Sequence, residues 1–165
     1  DTKDRGTNYS GMPIAYQYGQ DFYIEQIICD NSNPEIVETR LVMALLEHKV
    51  QMSRFESNSA GGRVAQKVQE QVKAKSGRTK ITTKYTTANK ETKIIVNSPW
   101  VKEHCLFKDN SVITDKEYKR AINFLCTYTM AGKNKNDDIP DAFAQLSEFA
   151  QSLEGNKVSV FKRPF

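Results

Sequence analysis

Two adjacent β-prone segments near the start of the chain constrain its fold more than any other feature of the sequence. Met12 to Tyr18 alternates in side-chain character and predicts a strand, and Phe22 to Cys29 predicts its partner. Gly19-Gln20-Asp21 separates the two and is typical of a hairpin turn. Because helical and strand patterns then alternate along the remainder of the 165 residues, the sequence predicts a single mixed α/β domain.

The later elements are predicted from apolar spacing and from capping residues. The predicted helices are Pro34 to His48, Gly61-Gly62 to Ser76-Gly77, Asn89 to Val96 with a separate turn at Pro99-Trp100, one after the capping box Thr114 to Glu117, and one after Asp137. The predicted strands are Val50 to Phe55, Lys80 to Thr86 and Leu106-Phe107. The fourth helix is expected to turn Tyr118, Ile122, Leu125 and Cys126 inward.

Hydropathy and cysteine usage exclude several classes of protein. The longest apolar runs, such as residues 41–46, are far shorter than the ~20 residues of a membrane-spanning helix, so no membrane partner is expected. The three cysteines, Cys29, Cys105 and Cys126, are widely spaced and odd in number. They predict neither a disulfide framework nor a structural zinc site, and they indicate a reducing compartment.

Positive charge is concentrated in the middle of the chain. The stretch 61–93 holds nine basic and two acidic residues, whereas the whole chain has a net charge of +4, so the two ends together are mildly acidic. Lysines interleaved with threonines suit the backbone of a polyanion such as DNA. The candidate phosphate contacts are Arg63, Lys67, Lys80, Lys84, Lys90 and Lys93. The alternative is a solvated surface with many lysines.

Carboxylates stand at the ends of predicted elements in three separate parts of the chain. Asp1 begins a turn, Glu56 follows an apolar strand, and Asp137, Asp138 and Asp141 open the last helix. Such positions point side chains into the crevice where α/β folds place their chemistry. Converging carboxylates need a cation between them, and oxygen ligands without His or Cys select Mg²⁺ or Mn²⁺. Two such ions can cleave a phosphodiester.

Each acidic residue also has a simpler interpretation. Asp138 can serve as a helix N-cap with Asp141 in the first turn. Asp1 and Asp4 can be solvated turn residues, and Glu56 can belong to a structural salt bridge. The valine stripe Val64, Val68 and Val72 is expected to pack in the core, the alternative being an assembly surface together with the tail Phe161 to Arg163.

Four stretches in order resemble the nuclease domain of the large terminase subunits of tailed phages and prophages. Asp1 to Tyr9 is similar to the family's D-x-A-x-x-G-x-D-Y pattern, and Phe55 to Gly61 to its E-x-N-x-x-G strand end. Thr86 to Ile94 resembles the N-K-x-x-R-I segment, and Asn136 to Ala142 resembles H-D-D-x-x-D-A. Asn8 and Asn136 depart from the family's Asp and His, so neither is assigned a metal or an acid role.

The resemblance implies a fold and a chemistry. The expected fold is α/β, a ribonuclease-H-like mixed sheet flanked by helices, with residues 1–165 forming a single nuclease domain. The implied catalytic residues are Asp1, Glu56, Asp138 and Asp141, and Asp137 joins them among the candidate ligands of two Mg²⁺ or Mn²⁺ ions. The implied activity is two-metal cleavage of concatemeric double-stranded DNA during viral DNA packaging.

The resemblance further implies a longer protein and its partners. An N-terminal ATPase domain and a first strand that ends at Asp1 are expected outside this sequence, which contains no G-x-x-x-x-G-K-[ST] motif for ATP. The implied partners are the terminase small subunit and the portal protein, in a packaging motor at the procapsid in the cytoplasm of a bacterial host. The alternatives are a junction-resolvase-like or transposase-like nuclease, and a non-catalytic DNA-binding module of the same fold.

Overall fold

The computed structural model describes residues 8–58, 61–130, 132, 134 and 136–154, and these form a mixed α/β structure. The strands are β1 (Ser10–Tyr18), β2 (Asp21–Asp30), β3 (Met52–Glu56), β4 (Lys80–Lys84) and β5 (Cys105–Leu106). The helices are α1 (Pro34–Glu47), α2 (Gly61–Ala74), α3 (Lys90–His104), α4 (Lys116–Thr127) and α5 (Asp138–Glu154). The predicted mixed α/β class and the order of its elements are therefore confirmed.

The described strands form two sheets. In the first, β2 is central, with β1 antiparallel on one side and the short β5 parallel on the other. In the second, β3 and β4 are parallel, and Glu56 at the end of β3 is paired with Lys84 at the end of β4. A groove of about 450 Å³ lies between the sheets, lined by residues of β1, β3 and α5.

The helices bury two hydrophobic clusters against these sheets. One cluster joins β2 to α4 and α5 and includes Ile27, Tyr118 and Phe143. The other joins β1 and β2 to α1 and α2, and Val68 and Val72 are fully buried in it. The valine stripe of α2 is therefore core packing, as the spacing indicated. Within the described part of the chain, no helix has the length and apolar character to span a bilayer.

The third helix is longer than the sequence suggested. The predicted break before Pro99 is wrong, because α3 runs without interruption from Lys90 to His104. A proline within a helix leaves the carbonyl four residues earlier without its backbone donor. Here the hydroxyl of Ser98 donates to the carbonyl oxygen of Ile95 at 3.0 Å and replaces that bond. This local compensation could not be read from the Pro99-Trp100 pattern alone.

Helix α4 begins as a cap predicts, but at a different residue. Asp115, not Thr114, is the N-cap, and its carboxylate accepts from the backbone N–H of Glu117 at 2.8 Å. The Glu117 carboxylate is used elsewhere and accepts from the backbone N–H of Cys29 at 3.0 Å. The predicted inward position of Cys126 is wrong, since that side chain is exposed near the end of the helix.

Candidate active site

The end of β3 is held in place by its own motif residues. The amide of Asn58 donates to the carbonyl of Thr86 at 2.8 Å, and its oxygen accepts from the Thr86 N–H at 3.1 Å. The loops that follow β3 and β4 are thereby joined. Glu56, the last residue of β3, lies directly before this junction. Its carboxylate is therefore set on a rigid strand end rather than on a mobile loop.

Helix α3 brings two lysines to the same place. Asn89 is its N-cap and accepts from the backbone N–H of Thr92 at 3.1 Å. Lys90 is the first residue of the helix and Lys93 lies three positions later. Residues three apart are neighbours on one helix face. Asn89 and Lys90 therefore begin the helix, and the helix directs the ammonium groups of Lys90 and Lys93 toward the acidic residues of the site.

Glu56 and Asp141 are brought together across the space between β3 and α5. The Lys93 ammonium lies 2.6 Å from Asp141 Oδ1 and 3.5 Å from Glu56 Oε2. The amide nitrogen of Gln145 donates to Glu56 Oε2 at 2.8 Å and to Asp141 Oδ2 at 2.9 Å. Two carboxylates that are 85 positions apart in sequence thus share the same two donors. The Lys93 side chain is only 3% exposed, so this bridge is internal.

A second bridge lies at the first turn of α5. The Lys90 ammonium contacts Asp137 Oδ1 at 2.6 Å and Asp138 Oδ1 at 2.8 Å. Burial disfavours the charged ammonium, but its hydrogen bonds to Asp137 and Asp138 outweigh that cost and hold the pKa of Lys90 above its ordinary value. Asp138 Oδ2 also accepts from the backbone N–H of Tyr9 at 2.7 Å. The Asp138 carboxylate therefore joins the start of β1 to α5 instead of capping its own helix.

The structure accordingly brings four of the predicted acidic residues to one region, Glu56, Asp137, Asp138 and Asp141, all in contact with lysines of α3. Asp1 and Asp4 lie outside the described residues. The simpler interpretation of Glu56 as a salt-bridge partner is compatible with the same contacts. A structural cluster and a cation site share this geometry and differ in whether a divalent ion binds to it.

The carboxylates form two pairs, and the oxygen atoms of each pair are ligands of the type that a hard divalent cation prefers. Over residues 8–58, 61–130, 132, 134 and 136–154, no three His, Cys, Asp or Glu side chains gather closely enough to hold a metal ion. Mg²⁺ commonly takes only one or two carboxylates and completes its shell with water and substrate phosphate. Asp141 Oδ1 is buried, and its ion pair with Lys93 lacks an aligned hydrogen bond. Each carboxylate pair therefore fits a cation in donor type.

The remaining predicted phosphate contacts are on the surface. Arg63 and Lys80 are exposed. Lys67 pairs with Glu38 at 3.4 Å, and Lys84 pairs with Glu148 at 2.6 Å, with both lysines still about half exposed. Lys90 and Lys93 differ from these four, because each of their ammonium groups lies between two carboxylates of the site. The basic stretch thus divides into residues on the surface and two lysines that are paired with the carboxylates of the site.

Gln145 is the site residue that the sequence reasoning missed. The sequence indicates this residue through its position four residues after Asp141, which places both side chains on one face of α5. Its second partner, Glu56, comes from a distant strand, and no spacing in the sequence relates the two. A glutamine at this position is otherwise an ordinary helix-surface residue.

Comparison of the sequence with protein-family models gives no match, and comparison with curated proteins gives no significant one.

Proposed function

We propose that this chain is a ribonuclease-H-like endonuclease domain that cuts double-stranded DNA with divalent cations, as in the terminase large subunits that it resembles. One observation supports the proposal most directly. Glu56 and Asp141 share the Lys93 ammonium, and Asp137 and Asp138 share the Lys90 ammonium. These contacts gather carboxylates from a strand end and a helix start into one region. Such a concentration of negative charge is costly without positive charge beside it, and the two lysine ammonium groups balance only two of the four carboxylates.

The arrangement of the strands supports the proposed ribonuclease-H-like fold. A ribonuclease-H-like sheet would require one more strand between β1 and β3, and the groove between them is lined by those two strands and by α5. That strand would lie antiparallel to β1 and parallel to β3. It would then end beside Tyr9 and Glu56, near the carboxylates, which is the place that the resemblance assigns to Asp1. Asp1 would complete the ligand set there.

Divalent ions bound at these carboxylates would supply an activated water and stabilise the leaving oxygen of a phosphodiester. The chain's own residues would do the rest. Glu56 and Asp141 would bind one cation, and Gln145 would orient both carboxylates. Asp137 and Asp138 would bind the other, and the contact of Asp138 with the Tyr9 N–H would keep its carboxylate in place.

DNA binding in this proposal is assigned to the exposed basic residues of α2 and β4. Arg63, Lys67, Lys80 and Lys84 would neutralise backbone phosphates without reading base sequence. The partners and location carried by the resemblance are also part of the proposal. They are the terminase small subunit, the portal protein, and a packaging motor at the procapsid in a bacterial host.

A plasmid-nicking assay with Mn²⁺, Mg²⁺ or EDTA tests the proposal. We expect nicking by the wild type with either cation, no nicking in EDTA, and a loss of at least roughly 100-fold in Glu56→Ala. Glu103→Ala is the matched control, because Glu103 lies on the exposed side of α3 with its side chain 76% exposed. Circular dichroism establishes that both variants are folded. Equal nicking by Glu56→Ala and the wild type would refute the assignment.

A second candidate is a DNA-binding module without catalysis. It is favoured by one observation, which is that lysine ammonium groups already bridge both carboxylate pairs. Calorimetric titration with Mn²⁺ separates the two, since such a module would bind no divalent ion at Glu56. A junction-resolvase-like or transposase-like enzyme would share the cation chemistry. It would be distinguished by a preference for branched DNA or for specific ends.

A further inference from the structure

Two lysines of α3 occupy equivalent places between carboxylates. Lys93 bridges Glu56 and Asp141, and Lys90 bridges Asp137 and Asp138. The two bridges differ in depth, because the Lys93 side chain is 3% exposed and that of Lys90 is 38% exposed. A lysine is almost never buried to that degree unless it is paired. Lys93 is therefore an internal ion of the structure and not a surface charge.

The position of Lys93 is set by a buried polar network between α3 and α5. The hydroxyl of Ser147 donates to Asn97 Oδ1 at 2.8 Å, and Asn97 Nδ2 donates to the carbonyl of Lys93 at 2.9 Å. Asn97 is 7% exposed and Ser147 is completely buried. A satisfied buried network of this kind holds two elements in one relative orientation. The Lys93 ammonium is consequently directed at Asp141 by the packing of the helices.

Lys93 and a divalent cation would contact the same oxygen atoms. Its ammonium is paired with Asp141 Oδ1 and Glu56 Oε2. Without a positive charge between them, two partly buried carboxylates repel each other strongly. The four carboxylates and two ammonium groups of the region carry a formal charge of −2. This balance leaves the region attractive to a further cation even with both lysines in place.

We propose that Lys93 is the internal counter-ion that positions Glu56 and Asp141, and that a divalent cation binds this pair by replacing its ammonium. The inference rests on the proposed function, because it takes cation binding at these carboxylates as its premise. Lys93 is thus a positioning residue that competes with the cation, in place of the phosphate-binding role predicted for it. Removal of its charge lowers the stability of the cation-free protein and raises its affinity for the cation.

Thermal unfolding with and without Mn²⁺ tests this competition without any measurement of cleavage. The variants are Lys93→Met and, as the matched control, Lys108→Met. Lys108 forms an ion pair of 2.8 Å with Glu25 away from the site. In EDTA we expect Lys93→Met to melt several degrees below the wild type, because it leaves two carboxylates without their counter-ion. Titration with Mn²⁺ should raise its melting temperature by more than that of the wild type.

We expect the Mn²⁺ concentration that gives half of the maximal rise in melting temperature to be about tenfold lower for Lys93→Met than for the wild type. Lys108→Met should respond to Mn²⁺ as the wild type does. If Lys93→Met does not fold, Lys93→Gln serves the same test, because it loses the charge but keeps an N–H donor. The double variant Glu56→Gln with Lys93→Met should regain stability in EDTA and lose most of its response to Mn²⁺.

The outcomes separate the two proposals. A Mn²⁺ response of Lys93→Met equal to or smaller than that of the wild type overturns the counter-ion inference and leaves cation binding in place. Absence of any Mn²⁺ response in the wild type and in all variants overturns both. A larger response confined to the Lys93 variants supports the inference.

Discussion

The α-carbon of Gly61 lies so close to the backbone of Glu56 that a Cβ at position 61 would sit 1.9 Å from the Glu56 carbonyl oxygen. The first turn of α2 therefore packs directly on the end of β3, and only glycine allows this approach. The backbone carbonyl oxygen of Asn58 completes the arrangement, because it accepts a hydrogen bond from the Gly61 N–H at 2.9 Å. The spacing of Glu56, Asn58 and Gly61 thus has a physical cause that does not depend on catalysis.

Gly61→Ala should destabilise the fold and displace Glu56. The added methyl group must move the backbone of either α2 or β3, and we expect a loss of about 2–3 kcal/mol in the free energy of unfolding. Urea denaturation measures the loss. Gly62→Ala is the control, because its Cβ meets no atom closer than 3.7 Å. Similar stability of the two variants would contradict the close contact.

Gln145→Ala should weaken cleavage while leaving the fold intact. The substitution removes the amide that donates to both Glu56 and Asp141, so the carboxylates lose a shared orienting partner. Loss of such an orienting group typically costs 10–100-fold, and we expect roughly a tenfold fall in the nicking rate at limiting Mn²⁺. Gln20→Ala is the matched control and should keep its rate, because Gln20 is an exposed glutamine in the turn between β1 and β2. A rate for Gln145→Ala equal to that of Gln20→Ala would remove Gln145 from the site.

Binding to DNA should depend steeply on salt through the exposed basic residues. Replacement of Arg63 or Lys80 by Ala should reduce the slope of log affinity against log salt concentration by about 0.9 each, the value of one phosphate contact. Fluorescence anisotropy with duplexes of unrelated sequence measures the slope and shows whether binding is independent of sequence. Lys119→Ala, an exposed lysine on α4, should leave the slope unchanged. An unchanged slope in the Arg63 and Lys80 variants would exclude their role.

Asp30 should make stability depend on pH in the acid range. Burial opposes its ionisation, but the hydrogen bonds from Ser32 and the pairing with Arg40 outweigh burial and hold the pKa of Asp30 below its usual 3.8. A folded pKa below the unfolded one gives stability that is present above about pH 4 and is lost as the pH falls through the folded value. Asp30→Asn should remove that contribution.

At neutral pH we expect Asp30→Asn to cost roughly 1–2 kcal/mol, a modest figure because Arg40 is partly exposed to solvent. Urea unfolding of both proteins between about pH 6 and pH 2.5 measures the difference. The gap between them should be constant above about pH 5 and should narrow below the usual Asp pKa. A gap that stays constant throughout the acid range would contradict the lowered pKa.

Sequence patterns were most informative where the cause of a structure is local. The hairpin of β1 and β2, the start of a helix near Asn89 and the start of α5 near Asp138 follow from neighbouring residues, and the structure has all three. Local patterns failed where a distant contact or a compensating bond intervened. Pro99 did not end α3 because Ser98 satisfies the freed carbonyl, and Glu117 did not close a capping box because it bonds to Cys29 and Arg40.

The sequence by itself determined the order of the helices and strands, the acidic residues at their ends and the basic stretch between them, because periodicity and capping act over a few residues. Only the tertiary structure decided that Lys93 faces Glu56 and Asp141, and that Gln145 joins them. The rotation of α3 against α5 depends on the buried contact of Asn97 with Ser147. Those residues are 50 positions apart, so no local pattern records which face of one helix meets the other.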